Sequence, residues 1–525
     1  MSDKEKRLSQ VTSIKFVLVV FLLAVSGYPA LAQQRSAKRG IAWDEKTQAL
    51  SDATVLTMAP GVAWVYNWGV APRNEVQALG PATSVDFVPL CWNDNFDEAA
   101  LRSYLDSHPG GKVLLGFNEP NFSAQAGMTP QQAAAAWPRL EQLAAEYHLE
   151  LVAPALNFTS EVVGGRAWSP YEWLDEFFRL YPTAQVDYLA LHCYMNWYSS
   201  TAWFATEYFY KDLYDATKAD VYGRYPCLVK YLNGYKEAKG HFPQMYLTEF
   251  CAWEGNKDGF TLTADSQIDQ MTQKVQLLER SDLVAGYAWF LGNAEGGAAA
   301  YPYNSVFQQN STDSELSTLG KVYVAMSSFD AEKYYALGET ILAKDYINAG
   351  TGNAAPRIRP NTEPYSDIPL QVEWNGGAWV AYQVDIPSHA DYHLTLHIQS
   401  AQAAGFRIYR NATGGANKLA DTTPLPATSG EWADVTIPIT LPAGRYALLL
   451  YNVSTSTVLL NSLSLQTTTG ISTLHRQPLS PSASVYDLCG RKLSASDLCG
   501  HKHSAAHTPC GIGISQGRKV VLNNN

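Results

Sequence analysis

Between residues 39 and 292 the chain repeats one pattern, a short apolar run of strand length followed by a longer polar or amphipathic stretch. Eight such runs stand out, at 39–43, 62–68, 85–92, 112–117, 149–156, 186–194, 245–250 and 284–291. Most are continuously apolar and not alternating, as strands buried on both faces of a parallel sheet must be. Segments of helical spacing lie between several of them. The clearest is 129–148, which opens Thr-Pro-Gln-Gln and continues Ala-rich past Pro138. Eight strands with helical connectors in about 250 residues match a (β/α)8 TIM barrel, an α/β fold, with a doubly wound open sheet as the competing arrangement.

From about residue 335 the period changes to two. Short alternating runs at 379–386, 392–398, 406–409, 432–439, 445–451 and 458–465, separated by Gly, Pro, Asn and Ser, predict an all-β sandwich. The expected order is therefore a leader (1–32), a barrel (36–330), a sandwich (335–466) and a short C-terminal β-module (467–525) with weak β-like runs at 484–488 and 518–522. The leader has Lys4, Lys6, Arg7 and Lys15 ahead of the apolar run 16–25 and then Ala30-Leu31-Ala32. This reads as a cleaved secretory signal, since the run is about ten residues where a membrane span needs about 20. A retained anchor is the alternative. The expected location is secreted or cell-surface, with no stable membrane span after cleavage. The long connector 196–244, with Trp197, Tyr198, Trp203, Phe204, Tyr208 and Tyr210, is expected to wall an active cleft or else to form a surface subdomain.

At 46% hydrophobic and 17% charged the chain can bury large cores. A net charge of −11 without clustered Lys and Arg argues against a nucleic-acid partner. Fourteen Trp and 31 Tyr mostly fill cores, but such a load also suits neutral polyols, whose C–H faces stack on rings. Seven cysteines are too few and too irregular for a disulfide scaffold or a zinc site. Cys91, Cys193 and Cys251 read as small buried side chains, two of which could pair. Cys489, Cys499 and Cys510 have no ligand set around them.

The chemistry concentrates where two strands end. Glu119 follows Leu-Leu-Gly-Phe-Asn (114–118) and Glu249 follows Met-Tyr-Leu-Thr (245–248). In a barrel both stand at the C-terminal mouth, where reacting groups belong. Two carboxylates about 5 Å apart across a sugar linkage are what glycoside cleavage with retention requires. Glu119, between apolar Phe117 and Pro120, suits the acid, with the Asn118 amide at hand for a sugar hydroxyl; Glu249 suits the nucleophile. A capping or salt-bridged role is the plain alternative for either alone. Asn157, His192, Tyr194, Trp253 and Trp289 lie at or past the ends of the later strands and are candidate substrate contacts. For His192 the alternative is a core histidine, and for Trp289 a barrel plug.

Phe-Asn-Glu-Pro-Asn (117–121) with Leu-Thr-Glu-Phe-Cys-Ala-Trp (247–253) resembles the Asl1-like glycosyl hydrolase catalytic core, glycoside hydrolase family 128. The resemblance spans about residues 38–295 and includes 39–43, 64–68, 87–92, 153–155, 192–194 and 286–290. It implies a retaining endo-β-1,3-glucanase barrel with Glu119 as acid/base and Glu249 as nucleophile. The sandwich resembles family 6-type carbohydrate-binding modules through 341–346, 379–384 and 441–446. On that likeness Trp432 and Asn461 are candidate sugar contacts, with Trp432 as a core residue and a purely structural module as alternatives. The tail resembles a type IX secretion sorting domain through 485–493 and 517–522, departing from it in the Cys- and His-containing segment between.

The expected protein is thus a secreted monomer that hydrolyses β-glucan polysaccharide or oligosaccharide by double displacement, with no metal or organic cofactor. The alternatives are a retaining glycosidase on another β-linked glucan and a non-catalytic glycan-binding surface protein.

Overall fold

The computed structural model describes residues 35–159, 161–196, 207–214, 225–254, 256, 260–293, 303–308, 314–326, 328–468, 512–515 and 518–521. Eight short parallel strands share one sheet: β1 (Arg39–Ala42), β2 (Trp64–Tyr66), β3 (Asp86–Phe87), β4 (Val113–Leu115), β5 (Glu150–Val152), β6 (Tyr188–Cys193), β7 (Gln244–Phe250) and β8 (Val284–Trp289). Each lies within its predicted run, β7 alone starting one residue earlier. The spatial order is β3-β2-β1-β8-β7-β6-β5-β4, so the last strand returns to the first. The outer strands meet just past their ends, where Leu115 donates its N–H to the Pro89 carbonyl at 2.9 Å and Cys91 donates to the Leu115 carbonyl at 3.0 Å. The parallel sheet therefore curls in the manner of a TIM barrel, which an open doubly wound sheet does not.

Local sequence accounts for the outer helices. Pro130–Tyr147 begins with Thr129 and Gln132 in a reciprocal capping box, has Pro130 in its first turn, and stops at His148 with φ 57°. Inside the ring small residues such as Ala42, Ala190 and Ala288 alternate with Trp64 and Tyr66. Gly40 and Gly286 make room for that filling, because a Cβ on either would stand 2.3 Å from the ring of Trp64 or Tyr246.

Arg39 closes the N-terminal end of the ring. Fully buried, it donates to Glu279 (3.1 Å), to the Tyr287 hydroxyl (3.0 Å) and to the carbonyls of Tyr323 and Met326 (2.9 and 2.6 Å). Removing one side of such a buried network strands the other. Arg39→Leu is expected to lower stability by about 3–5 kcal/mol, measured by urea unfolding followed by circular dichroism, with activity of the folded fraction kept. An unchanged urea midpoint would contradict this.

The sandwich has two antiparallel sheets. One pairs Arg357–Pro360, Leu370–Trp374, Val458–Thr467, Ala390–Gln399 and Trp432–Leu441 in that order; the other contains Trp379–Ile386, Gly444–Asn452, Ala404–Arg410 and Lys418–Leu425. All six alternating runs of the sequence fall on these strands. The sandwich docks on the helix Ala264–Arg280, through Arg359 to Asp269 at 2.8 Å and Gly352 N–H to Gln273 at 3.1 Å, with Ile358 and Leu370 buried in the barrel's own apolar cluster. Residues 468–525 form a separate unit, described as the antiparallel pair Ile512–Ser515 and Arg518–Val521. The leader, the run 484–488 and the three tail cysteines lie outside the described residues.

Cys91, Cys193 and Cys251 are buried, and no disulfide joins any two of them. Among the described residues no helix is long and apolar enough to cross a membrane. Of the connector aromatics, Trp197, Tyr198, Trp203, Phe204 and the side chain of Tyr208 lie outside the description. Tyr210 is buried, on the helix Glu207–Tyr214, and its hydroxyl donates to the Pro243 carbonyl. That carbonyl precedes β7, so Tyr210 packs at the far end of the strand from Glu249 and not in a cleft wall.

Candidate active site

Strand alternation decides which side chains reach the mouth of the ring. Along β6, Ala190 faces inward while Leu191 and Cys193 belong to the outer apolar layer, so His192 and Tyr194 follow Ala190 inward. Strand β7 breaks the alternation. Leu247 pairs with Leu191 but Glu249 pairs with His192, leaving Thr248 as an extra residue in a bulge. Leu247 and Phe250 then both face outward, and Thr248 and Glu249 both turn in. Glu119 is aimed by its backbone, at φ 45°, a left-handed conformation disfavoured for glutamate and held here by its N–H on the Ala155 carbonyl (2.8 Å) and its carbonyl under the Phe122 N–H (2.9 Å).

The two carboxylates come together. Glu119 and Glu249 are each 4% exposed, and each offers an oxygen within 4.8 Å of the other and of a His192 nitrogen. Asn157 Nδ2 (2.7 Å) and His192 Nδ1 (2.6 Å) both meet Oε1 of Glu119, leaving Oε2 for another partner. Glu249 accepts from Trp68 Nε1 (2.7 Å) and the Tyr66 hydroxyl (3.3 Å) on Oε1 and from the Tyr194 hydroxyl on Oε2, with His192 Nδ1 3.4 Å away. His192 Nε2 sits 2.9 Å from the Thr248 hydroxyl.

Burial pushes the Glu249 carboxyl up; the His192 charge opposes it, Glu119 reinforces it, and the Tyr194 and Trp68 hydrogen bonds pull it back without cancelling the rise. Burial pulls the His192 imidazole down, but the Glu249 and Glu119 carboxylates outweigh it and hold the ring above its ordinary value. The phenols of Tyr66 and Tyr194 are driven well up by burial and by Glu249, so both remain donors. Glu119, His192 and Glu249 have the donor types of a metal site. Both ring nitrogens of His192 are already engaged, however, one by carboxylates and one by Thr248, which suits proton sharing rather than a common ion.

A family model described as glycosyl hydrolase catalytic core matches residues 40–214 and 208–323, more than half of the chain. The chain belongs to that family. It is also 27% identical over 297 residues to Alkali-sensitive linkage protein 1 of Schizosaccharomyces pombe, a match covering 55% of this chain and 45% of that protein, so the chain spans under half the length of this curated relative. Among solved structures it is similar to a GH128 (subgroup II) endo-β-1,3-glucanase from Pseudomonas viridiflava (32% identity, 56% of this chain, 100% of that one, TM-score 0.42). A GH128 (subgroup II) enzyme from Sorangium cellulosum is similar at 28% identity, with the same coverage and a TM-score of 0.41.

In this family member most of the sequence-derived contacts surround the carboxylates. Asn118 is buried with its Oδ1 lacking any protein partner, Asn157 binds Glu119, and Trp253 stands 5.4 Å from the Tyr194 ring and 5.0 Å from Phe290. Trp289 is a correction. It is fully buried on the outer face of β8, donating to the Asn304 carbonyl at 2.8 Å and packed on Phe250. With Ala288 inside, alternation sends Trp289 out and Phe290 in, against Trp68 and Tyr194. Tyr66, Trp68, Thr248 and Asn121 were not singled out as site residues, although Trp64, Tyr66 and Trp68 lie at period two. Asn121, fully buried, braces the Glu119 turn by bonding the Asn157 carbonyl (2.7 Å) and N–H (3.1 Å).

On the sandwich, Trp432 is half-buried and stacked on His397 at 5.6 Å, its Nε1 without a partner. His397 spans Glu363 (2.9 Å) and Asp434 (2.6 Å). Asn461 is fully buried and donates to Glu363 at 2.7 Å, which makes it a brace for the 361–367 turn. That turn also carries Tyr365, fully exposed at φ 60°, which the sequence reading did not single out.

Proposed function

We propose that the protein is a secreted or cell-surface endo-β-1,3-glucanase that cleaves with retention, Glu119 serving as acid/base and Glu249 as nucleophile. The observation that carries this reading is that the two buried carboxylates share one mouth, with an oxygen of each lying within 4.8 Å of an oxygen of the other, which favours the shorter of the two separations used by glycosidases. Retention needs a separation of about 5–5.5 Å, whereas inverting pairs stand about 6.5–9.5 Å apart to admit a water between them. Glu119 protonates the glycosidic oxygen from Oε2, the oxygen its neighbours leave open. Glu249, held by three donors, attacks the anomeric carbon to give a glycosyl ester. Glu119 then takes a proton from the water that releases the sugar. Trp68, Trp253 and Phe290 supply ring faces.

β-1,3-Glucan is named from the resemblance of the 117–121 and 247–253 motifs. The test is digestion of laminarin, cellulose and xylan, with the product anomer followed by proton NMR. Laminarin cleaved to β-anomeric oligosaccharides supports the reading; α-anomers would remove the mechanism, and cleavage of cellulose or xylan alone would remove the substrate. Secretion predicts a mature N-terminus at Gln33, which N-terminal sequencing checks.

For the sandwich we propose glycan contact at Trp432, whose stacking partner His397 reaches the Glu363 carboxylate that Asn461 also binds. Trp432→Ala should lower retention on insoluble β-1,3-glucan several-fold, on the scale of about 1–2 kcal/mol for one aromatic contact, with soluble laminarin hydrolysis unchanged. Equal retention of both proteins would make the sandwich structural.

A further inference from the structure

The helix Ala264–Arg280, which follows β7, turns polar groups toward the barrel. Gln267, Met271 and Lys274 share one face at i, i+4 and i+7, and Gln267 and Lys274 are both fully buried. The Lys274 ammonium donates to two backbone carbonyls, Met195 at 2.7 Å and Cys251 at 3.1 Å. Taking an ammonium wholly out of water is costly, so methionine would fill this space with less penalty. What the charge adds is direction, since it draws two carbonyls from different loops to one point.

Those loops carry the nucleophile's surroundings. Met195 follows Tyr194, whose hydroxyl donates to Glu249, and Cys251 lies two residues beyond Glu249. Gln267 grips the Ala252 peptide at both ends, accepting its N–H at 3.1 Å and donating to its carbonyl at 2.9 Å. Trp253 donates its N–H to the Tyr194 carbonyl at 3.0 Å, and Asn196 and Glu254 exchange backbone-to-side-chain hydrogen bonds, each 3.1 Å. The segments 193–196 and 251–254, at the C-terminal ends of β6 and β7, are therefore joined to each other and both are held by Lys274.

We propose that Lys274 is a positioning residue for the nucleophile: by holding these two loops together it fixes the Tyr194 hydroxyl against Glu249. The inference rests on the glycosidase reading and adds to it a residue that touches neither substrate nor carboxylate. A defect of alignment lowers turnover while leaving ground-state binding nearly intact.

The test is a double-mutant cycle on laminarin with the full chain. Lys274→Met should lower kcat at least about tenfold with KM within about twofold, while in a Tyr194→Phe background the same change should alter kcat by less than about twofold, because both act through one hydrogen bond. A purely structural role would lower the melting temperature and multiply with Tyr194→Phe. Unchanged kcat, or full multiplication in the cycle, overturns the proposal. Should Lys274→Met fail to fold, Lys274→Gln, which keeps two N–H donors, enters the same cycle; failure of both to fold assigns the lysine to stability alone and also overturns it. An inactive wild-type protein would instead sink the glycosidase reading itself.

Discussion

Glu249→Gln should reduce laminarin hydrolysis by at least about 10⁴-fold, the scale on which loss of a covalent nucleophile acts, without loss of the folded state. The substitution keeps the shape, with the amide oxygen left to accept from Trp68 and Tyr66 and the NH2 facing the Tyr194 hydroxyl, which can accept, but an amide does not form the glycosyl ester. Glu119→Gln should differ in kind. A general acid contributes about 10²–10⁴-fold, and that contribution shrinks when the leaving group needs no proton. On a laminari-oligosaccharide bearing a dinitrophenyl leaving group, Glu119→Gln should therefore recover much of its bond-cleaving step while Glu249→Gln recovers none. Equal losses on both substrates would reverse or erase the assigned roles. Natural-substrate activity surviving both changes would remove the mechanism.

The second large effect concerns His192. Its ring stands 2.6 Å from one carboxylate and 3.4 Å from the other, and its charge opposes the rise that burial imposes on Glu249. The sign follows. Glu249 attacks only when ionised, and its carboxyl is held above the ordinary value, so activity should fall as pH drops through a point higher than that of a free glutamate. Without the imidazolium the carboxyl rises further. His192→Gln should therefore shift the acid limb of kcat/KM to higher pH as well as lower kcat by on the order of 10²–10³-fold, the usual effect of removing one preorganised electrostatic partner. An acid limb that stays in place, whatever happens to kcat, would show that His192 does not set the charge on Glu249. Thr248→Val removes the partner of Nε2 and should move the limb in the same direction by less.

Strand number and spacing were open to a one-dimensional reading because burial on both faces writes itself as a continuous apolar run, and because alternation in the sandwich writes itself as period two. The helix at Pro130–Tyr147 was equally legible, since its capping box and first-turn proline are local. Glu119 and Glu249 were legible as well: a carboxylate directly after an apolar strand stands out against the run before it.

Three features of the site were decided by contacts between strands. The bulge at Thr248 turns Glu249 into the ring, and a bulge is defined against the register of a partner strand, which no single segment encodes. Trp68, Tyr66 and His192 converge on the two carboxylates only because β2 and β6 flank the mouth, so the hydrogen bonds that hold the charge arise from ring closure. Trp289 and Phe290 exchange the roles that adjacency in the chain suggested, because the inward face of β8 is fixed by Gly286 and Ala288 packing among the rings of neighbouring strands. The sequence by itself determined which elements form and where the acidic groups sit along them. The tertiary structure decided which way those groups point, because orientation depends on strand register and packing across the ring.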